Sequence, residues 1–120
     1  MNLNKDIKPI KVERASRYCI VQIDSEIISP SVSIKLREIL NSLITNEKFY
    51  QIVLDLSQLK FIESSTIGVI VDVYKSLIQI NGRMNLVVKS KSVYDRFEIS
   101  QLDKLLRIYS TLDEALKSFK

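Results

Sequence analysis

Residues 50–70 read Tyr50-Gln-Ile-Val-Leu-Asp-Leu-Ser-Gln-Leu-Lys-Phe-Ile-Glu-Ser-Ser-Thr-Ile-Gly-Val-Ile70. The first seven residues form an almost unbroken apolar run, which is how a strand covered on both faces of a sheet reads. After a short connection come three hydroxyls in a row, Ser64, Ser65 and Thr66. Behind them Ile67, Ile70, Val71, Tyr74, Leu77 and Ile78 recur at helical spacing. Asn81-Gly82 then stops the helix, with Gly82 placed to take the left-handed conformation just past its end. A buried strand, a corner and a helix in that order belong to a parallel sheet.

Outward from this stretch the same alternation repeats. Residues 7–13 set Ile7, Ile10 and Val12 among Lys8, Lys11 and Glu13, the pattern of a half-buried strand. Arg14-Ala15-Ser16-Arg17 turns the chain into a second strand from Tyr18 to Ile23. Ser29-Pro30 opens a helix, with a hydroxyl at the N-cap and a proline at the first position, where its missing N–H is harmless. Its apolar stripe is Val32, Leu36, Ile39, Leu40 and Leu43, ending near Asn46. Downstream, Met84 to Val88 is a strand, and Ser92-x-x-Asp95 opens a helix carrying Val93 and Phe97. Leu106 to Tyr109 is the last strand. Thr111-x-x-Glu114 is a capping box that opens a closing helix with Leu112, Ala115, Leu116 and Phe119. The order β-β-α-β-α-β-α-β-α predicts one α/β domain over residues 1–120: a single mixed, mainly parallel sheet of about five strands flanked by four helices.

Composition removes whole classes of chemistry. With 120 residues there is room for one core and not for two, and 46% hydrophobic against 27% charged residues fits a folded chain. There is no His, so neither a Ser-His-Asp nor a Cys-His pair can be assembled, and no imidazole can hold a metal. The two glycines, Gly68 and Gly82, are too few for a phosphate-cradling loop or a dinucleotide fingerprint. The sequence therefore calls for no metal and no cofactor, and it points away from an enzyme. The single Cys19 forms no internal disulfide, which suits a reducing compartment. Residues 1–17 lack a signal-type apolar segment, and no run of about 18 apolar residues occurs, so a cytoplasmic protein without membrane contact is expected. The net charge of +4 is spread as single Lys and Arg residues among apolar ones, a pattern of solvated faces that disfavours nucleic acid as a partner.

The hydroxyl corner carries the functional information. It lies just outside the carboxyl end of a strand, at the start of a helix, which is where ligands and partners meet open α/β sheets. Two readings of Ser64 fit that place. As an N-cap it stabilises the helix by about 1 kcal/mol. As a phosphoacceptor it gains about −1.5 to −2 charges, which a helix N-terminus tolerates because its free N–H groups point at them. Spacing alone leaves both open.

The string from Ile52 to Ile70 resembles the signature of the STAS family, named for sulfate transporters and anti-sigma-factor antagonists. That pattern is an apolar strand ending Asp-Leu-Ser, an aromatic and an apolar residue, Asp-Ser-Ser/Thr-Gly, and a helix opening Leu-Gly. Gly82-x-Met84-x-Leu86-Val-Val88 is similar to the next family strand, and Thr111-Leu-Asp-Glu-Ala-Leu116 to its final helix; Phe97 and Leu102 stand where the family keeps a helix and an apolar turn. Small free-standing domains of this kind look most like bacterial anti-sigma-factor antagonists. The resemblance implies a protein-binding switch. Unmodified, it would bind an anti-sigma factor that is also a serine protein kinase, and it would be released when that kinase phosphorylates the serine after the motif's acidic residue. A phosphatase that resets the serine is a further partner the family provides for. By position the acceptor is Ser64, with Ser65 and Thr66 as alternates. The docking face carried over is Ser29, Ser31, Val32, Glu63, Ser64, Ser65, Thr66 and Gly68. Glu63 stands in place of the family's Asp, Thr66 in place of its Gly, and Ser25 and Ile28 about where it often has Gly and Asp. Threonine at 66 is expected to add bulk where a partner's backbone would approach. These departures motivate a second expectation, a non-switching scaffold or accessory domain of a larger assembly in stress signalling or transport.

The remaining reactive side chains read as structural. Cys19, inside the second strand, is expected in the core. Asp55 and Glu63 lie on different sides of a turn, and Asp55 is expected to order the strand-to-loop backbone rather than to act as an acid or base. Tyr74 belongs to the apolar stripe. Tyr94 and Arg96 either reach a partner or sit on a solvated face.

Overall fold

The protein is described by a computed structural model covering residues 9–119. Strands β1 (Ile10–Arg14) and β2 (Cys19–Ile23) form an antiparallel hairpin with Val12 opposite Val21. Strands β3 (Gln51–Asp55), β4 (Arg83–Val87) and β5 (Arg107–Tyr109) then add in parallel, so spatial order follows chain order. The helices are α1 (Pro30–Thr45), α2 (Ser64–Gln79), α3 (Lys91–Ile99) and α4 (Leu112–Lys117), with a 3-10 turn at Leu102–Lys104 before β5. This is the mixed five-stranded sheet with four helices that the sequence predicts. The expected start of the first strand, at Ile7 and Lys8, lies outside the described residues.

Successive side chains of a strand point to opposite faces, and here both faces are covered. Ile52 and Leu54 join Cys19, Val21, Ile23, Met84 and Leu86 in a core shared with α1 and α2 and closed by Val93 and Phe97 of α3. Val53, Ile20 and Val87 meet Ala115 of α4 on the other face, with Tyr18, Tyr109, Leu112, Leu116 and Phe119 around them. That double cover is why β3 needs an apolar residue at each of these positions. Burial pushes the Cys19 thiol up to about 11, so it remains a protonated core side chain. Asn85 spends its amide on the Ala115 carbonyl at 2.8 Å and the Ser118 hydroxyl at 2.6 Å, which ties α4 to the sheet.

Three local expectations need correction. The buried face of α2 is Thr66, Ile67, Val69, Ile70, Val73 and Leu77, while Ile78 is exposed. The helix packs on α1 as well as on the sheet, and that second contact draws Val69 and Val73 inside. At its end Asn81, not Gly82, is the left-handed residue, with φ 61°. The Asn81 N–H donates to Ile78 and the Gly82 N–H to Leu77, the paired bonds that close a helix. Gly82 is there for space, since a Cβ would come within 2.7 Å of the Tyr50 carbonyl. Finally, Ser90 rather than Ser92 caps α3, accepting from the Val93 N–H. Ser92 has another task, at the site.

Candidate functional site

The loop from β3 to α2 is fixed through both backbone polar groups of one residue, Lys60. Asp55 turns the chain out of the sheet, its carboxylate accepting the Ser57 N–H at 3.0 Å, as a backbone-ordering role requires. Leu59 and Ile62 anchor the loop in the core. Between them the Lys60 N–H donates to the Glu26 carbonyl at 2.8 Å, and the Lys60 carbonyl accepts the Ser92 hydroxyl at 2.8 Å. The β2–α1 loop and the start of α3 thus hold the corner in place. With Ile62 facing in, Phe61 is driven out and is 67% exposed.

Glu63 occupies the N-cap of α2 without a side-chain cap, and Ser64 is the first helical residue. The expectation that Ser64 itself caps the helix is therefore not met. Its side chain and that of Ser65 are exposed. The N–H groups of Ser64 and Ser65 find no acceptor among the described residues, as is normal for the first turn of a helix. The Ser64 hydroxyl oxygen accepts a hydrogen bond from Arg96 Nη2 of α3 at 3.2 Å. The contact with Ser64 is not legible in the sequence, because the two residues are 32 apart and Arg96 reads equally as a partner contact or a solvated cation.

The other expected site residues divide. Ser29 caps α1, accepting the Val32 N–H at 3.3 Å, and shares a 3.2 Å hydrogen bond with Ser31; both are exposed on the same end of the sheet. Glu63 is exposed and Gly68 half-buried one turn behind Ser64. Thr66 and Val32 are different. Thr66 is 1% exposed and Val32 7%, both on core-facing positions of their helices, so neither is open to a kinase or to a partner. Thr66 is corrected as an alternate acceptor for that reason. Its bulk also goes inward, so it does not crowd the docking face.

Around the serines lies apolar surface that the sequence reading missed. Ile27 in the β2–α1 loop is 60% exposed and Ile34 on α1 63% exposed. A shallow groove of about 260 Å³ between α1 and α2 is lined by Pro30, Ser33, Ile34, Arg37, Ser65 and Val69. Only the exposed half of each amphipathic pattern could have signalled it. Ile27 and Ile34 fall off the apolar stripe and have no place in the core.

Gly68 sharpens the picture. In a helix interior glycine is less stable than alanine by about 0.5–1 kcal/mol. A Cβ at Gly68 would meet no described atom within 4 Å, so the fold itself does not require glycine there. Gly68→Ala is expected to raise stability by about 0.5–1 kcal/mol in urea denaturation. A loss of stability would show that the position is already filled from within the chain.

The family model described as the STAS domain matches residues 9–115. A candidate anti-sigma factor antagonist of Thermotoga neapolitana is 36% identical over 72 residues, 60% of this chain and 64% of that protein. Another, from Thermotoga maritima, is 32% identical over 75 residues, 62% of this chain and 66% of its own. The chain thus spans just under two thirds of the length of these relatives. Among solved structures, a candidate anti-sigma factor antagonist from Thermotoga maritima superposes with a TM-score of 0.84 at 23% identity, over 94% of this chain and 96% of that one. The phosphorylated form of the Bacillus cell fate determinant SpoIIAA superposes at 0.75 with 19% identity, over 92% and 99%. The structural likenesses carry the fold, and the family match carries the membership: the chain belongs to the STAS domain family.

Proposed function

We propose that this protein is a phosphorylation-controlled binding switch of the anti-sigma-factor-antagonist type. Its unmodified face, built from Ser29, Ser31, Glu63, Ser64, Ser65 and Gly68 with Ile27, Ile34 and Phe61 around them, docks on an anti-sigma factor that is a serine kinase. Transfer of the ATP γ-phosphoryl group to Ser64 Oγ, with the serine proton leaving to the kinase, gives ADP and a phosphoserine that ends the complex. The protein then acts as a cytoplasmic bacterial phosphoprotein that regulates transcription through a sigma factor, and catalyses nothing itself. A phosphatase resets it. The observation that carries this reading is the exposure of the Ser64 hydroxyl at the first residue of α2, amid exposed apolar side chains. A phosphate there adds charge to the partner face and leaves the core untouched.

Incubation with an anti-sigma-type serine kinase and ATP is expected to add one phosphate, located on Ser64 by mass spectrometry. Ser64→Ala is expected to abolish it. Phosphate found only on other residues would remove the assignment, with Ser65 the exposed neighbour to examine first.

A further inference from the structure

Arg96 stands out among the cations of this surface. Its Nη2 donates to Ser64 Oγ at 3.2 Å, and among the described residues no carboxylate lies within ion-pair distance of it. The acid next to it on α3, Asp95, is held by Lys91 at 3.1 Å, one turn earlier on the same helix. Glu63 and Glu98, the other acids of this neighbourhood, are exposed and unpaired with it. A guanidinium carries five donors in a planar fork that suits a two-oxygen anion. Here one donor is spent on a neutral hydroxyl and no anion is offered.

The position of Arg96 is built rather than incidental. Its neighbour Phe97 is fully buried and Val93 is too, so the α3 backbone is fixed against the core. Ser92 fixes the same helix to the Lys60 carbonyl in the corner that leads to Ser64. The guanidinium is thus delivered to the acceptor oxygen from a helix whose Val93 and Phe97 sit in the core.

We infer that Arg96 is the protein's own counter-ion for a phosphate on Ser64. This rests on the reading of Ser64 as the phosphoacceptor. Once Oγ is phosphorylated, three acceptor oxygens replace one hydroxyl, and the fork of Arg96 can take two of them. The phosphate then links the first turn of α2 to α3. Modification changes the surface in two places, adding an anion at Ser64 and withdrawing the free donors of Arg96. A partner therefore reads α3 as well as α2.

The test does not need a kinase. Phosphoserine is placed at position 64 during translation by codon suppression, in the wild-type chain and in Arg96→Gln and Arg96→Lys. The phosphate is titrated by phosphorus NMR. Its second ionisation ordinarily falls near pH ~6. It is expected to lie lower in wild type than in Arg96→Gln by about 0.5–1 unit, because a nearby cation favours the dianion. The free N–H groups of α2 act alike in all three proteins, so the difference isolates residue 96. Arg96→Lys is expected to restore part of the shift. Thermal melts should show phosphorylation stabilising wild type more than Arg96→Gln, with the unmodified proteins melting together. Equal titrations in wild type and Arg96→Gln would overturn the inference whatever a kinase does. A kinase that fails to label wild-type Ser64, beside a titration difference that persists, would remove the switch and leave the pairing standing.

Discussion

Ser64→Asp is expected to weaken binding to the proposed anti-sigma partner about a hundredfold while leaving the fold intact. Leaving an uncompensated charge buried at an interface costs about 3–5 kcal/mol, and each 1.4 kcal/mol is about tenfold in affinity. Arg96, 3.2 Å from the Ser64 oxygen, offsets part of that charge, which puts the expectation at the lower end. The free protein tolerates the substitution because an acid in the first turn of a helix is favoured by the unpaired N–H groups there. Calorimetric titration with the proposed anti-sigma kinase measures the affinity, and a thermal melt the fold. Equal binding by Ser64→Asp and wild type would instead support a scaffold that does not switch.

The scaffold reading drew its force from Thr66 and Ile28, and the structure buries both, at 1% and 7% exposure. On sequence grounds a β-branched residue in place of the family's glycine stands in the way of a partner. In the fold Thr66 faces the core at 1% exposure, one residue beyond the exposed pair Ser64 and Ser65. Sequence spacing gives the order of three hydroxyls and not their directions. Helical geometry then rotates each by about 100°, sending two to solvent and one inward.

What was legible followed from local rules. The apolar run of β3, the Ser29-Pro30 helix start and the Thr111 cap of α4 each involve neighbours along the chain, and the structure has all three, although the Glu114 carboxylate accepts the Thr111 and Ser110 hydroxyls and not the Thr111 backbone N–H of a full box. The Thr111 hydroxyl accepts the Glu114 N–H, the capping half of the expected box. What was illegible depended on contacts between distant elements. Ser92 reads as a cap until the loop carrying Lys60 is beside it, whereupon Ser90 takes the capping role. Arg96 acquires meaning only once α3 lies against the first turn of α2. The same holds for Phe61, which points outward once Ile62 is drawn into the core and Lys60 is held by Glu26 and Ser92.

Phe97→Ala joins stability to the site. Phe97 is fully buried, and with Val93 it is all that α3 buries in the core. Removing such a ring costs about 3–5 kcal/mol, through lost burial and the cavity left behind. For a domain of this size that corresponds to a fall in melting temperature of roughly 10–20 °C. The consequence does not stop at the core. A nine-residue helix with two buried residues has little else to hold its register, and its loosening releases both the Ser92 bond to Lys60 and the Arg96 bond to Ser64. Amide hydrogen exchange is therefore expected to rise first in α3 and in the 59–64 corner, with β3 protected until global unfolding. Leu77→Ala, equally buried but on α2's far end, supplies the contrast: a comparable loss of stability without early exchange at the corner. If Phe97→Ala melted within a few degrees of wild type, or loosened the whole sheet at once, α3 would not be the element that holds the corner and its arginine in place.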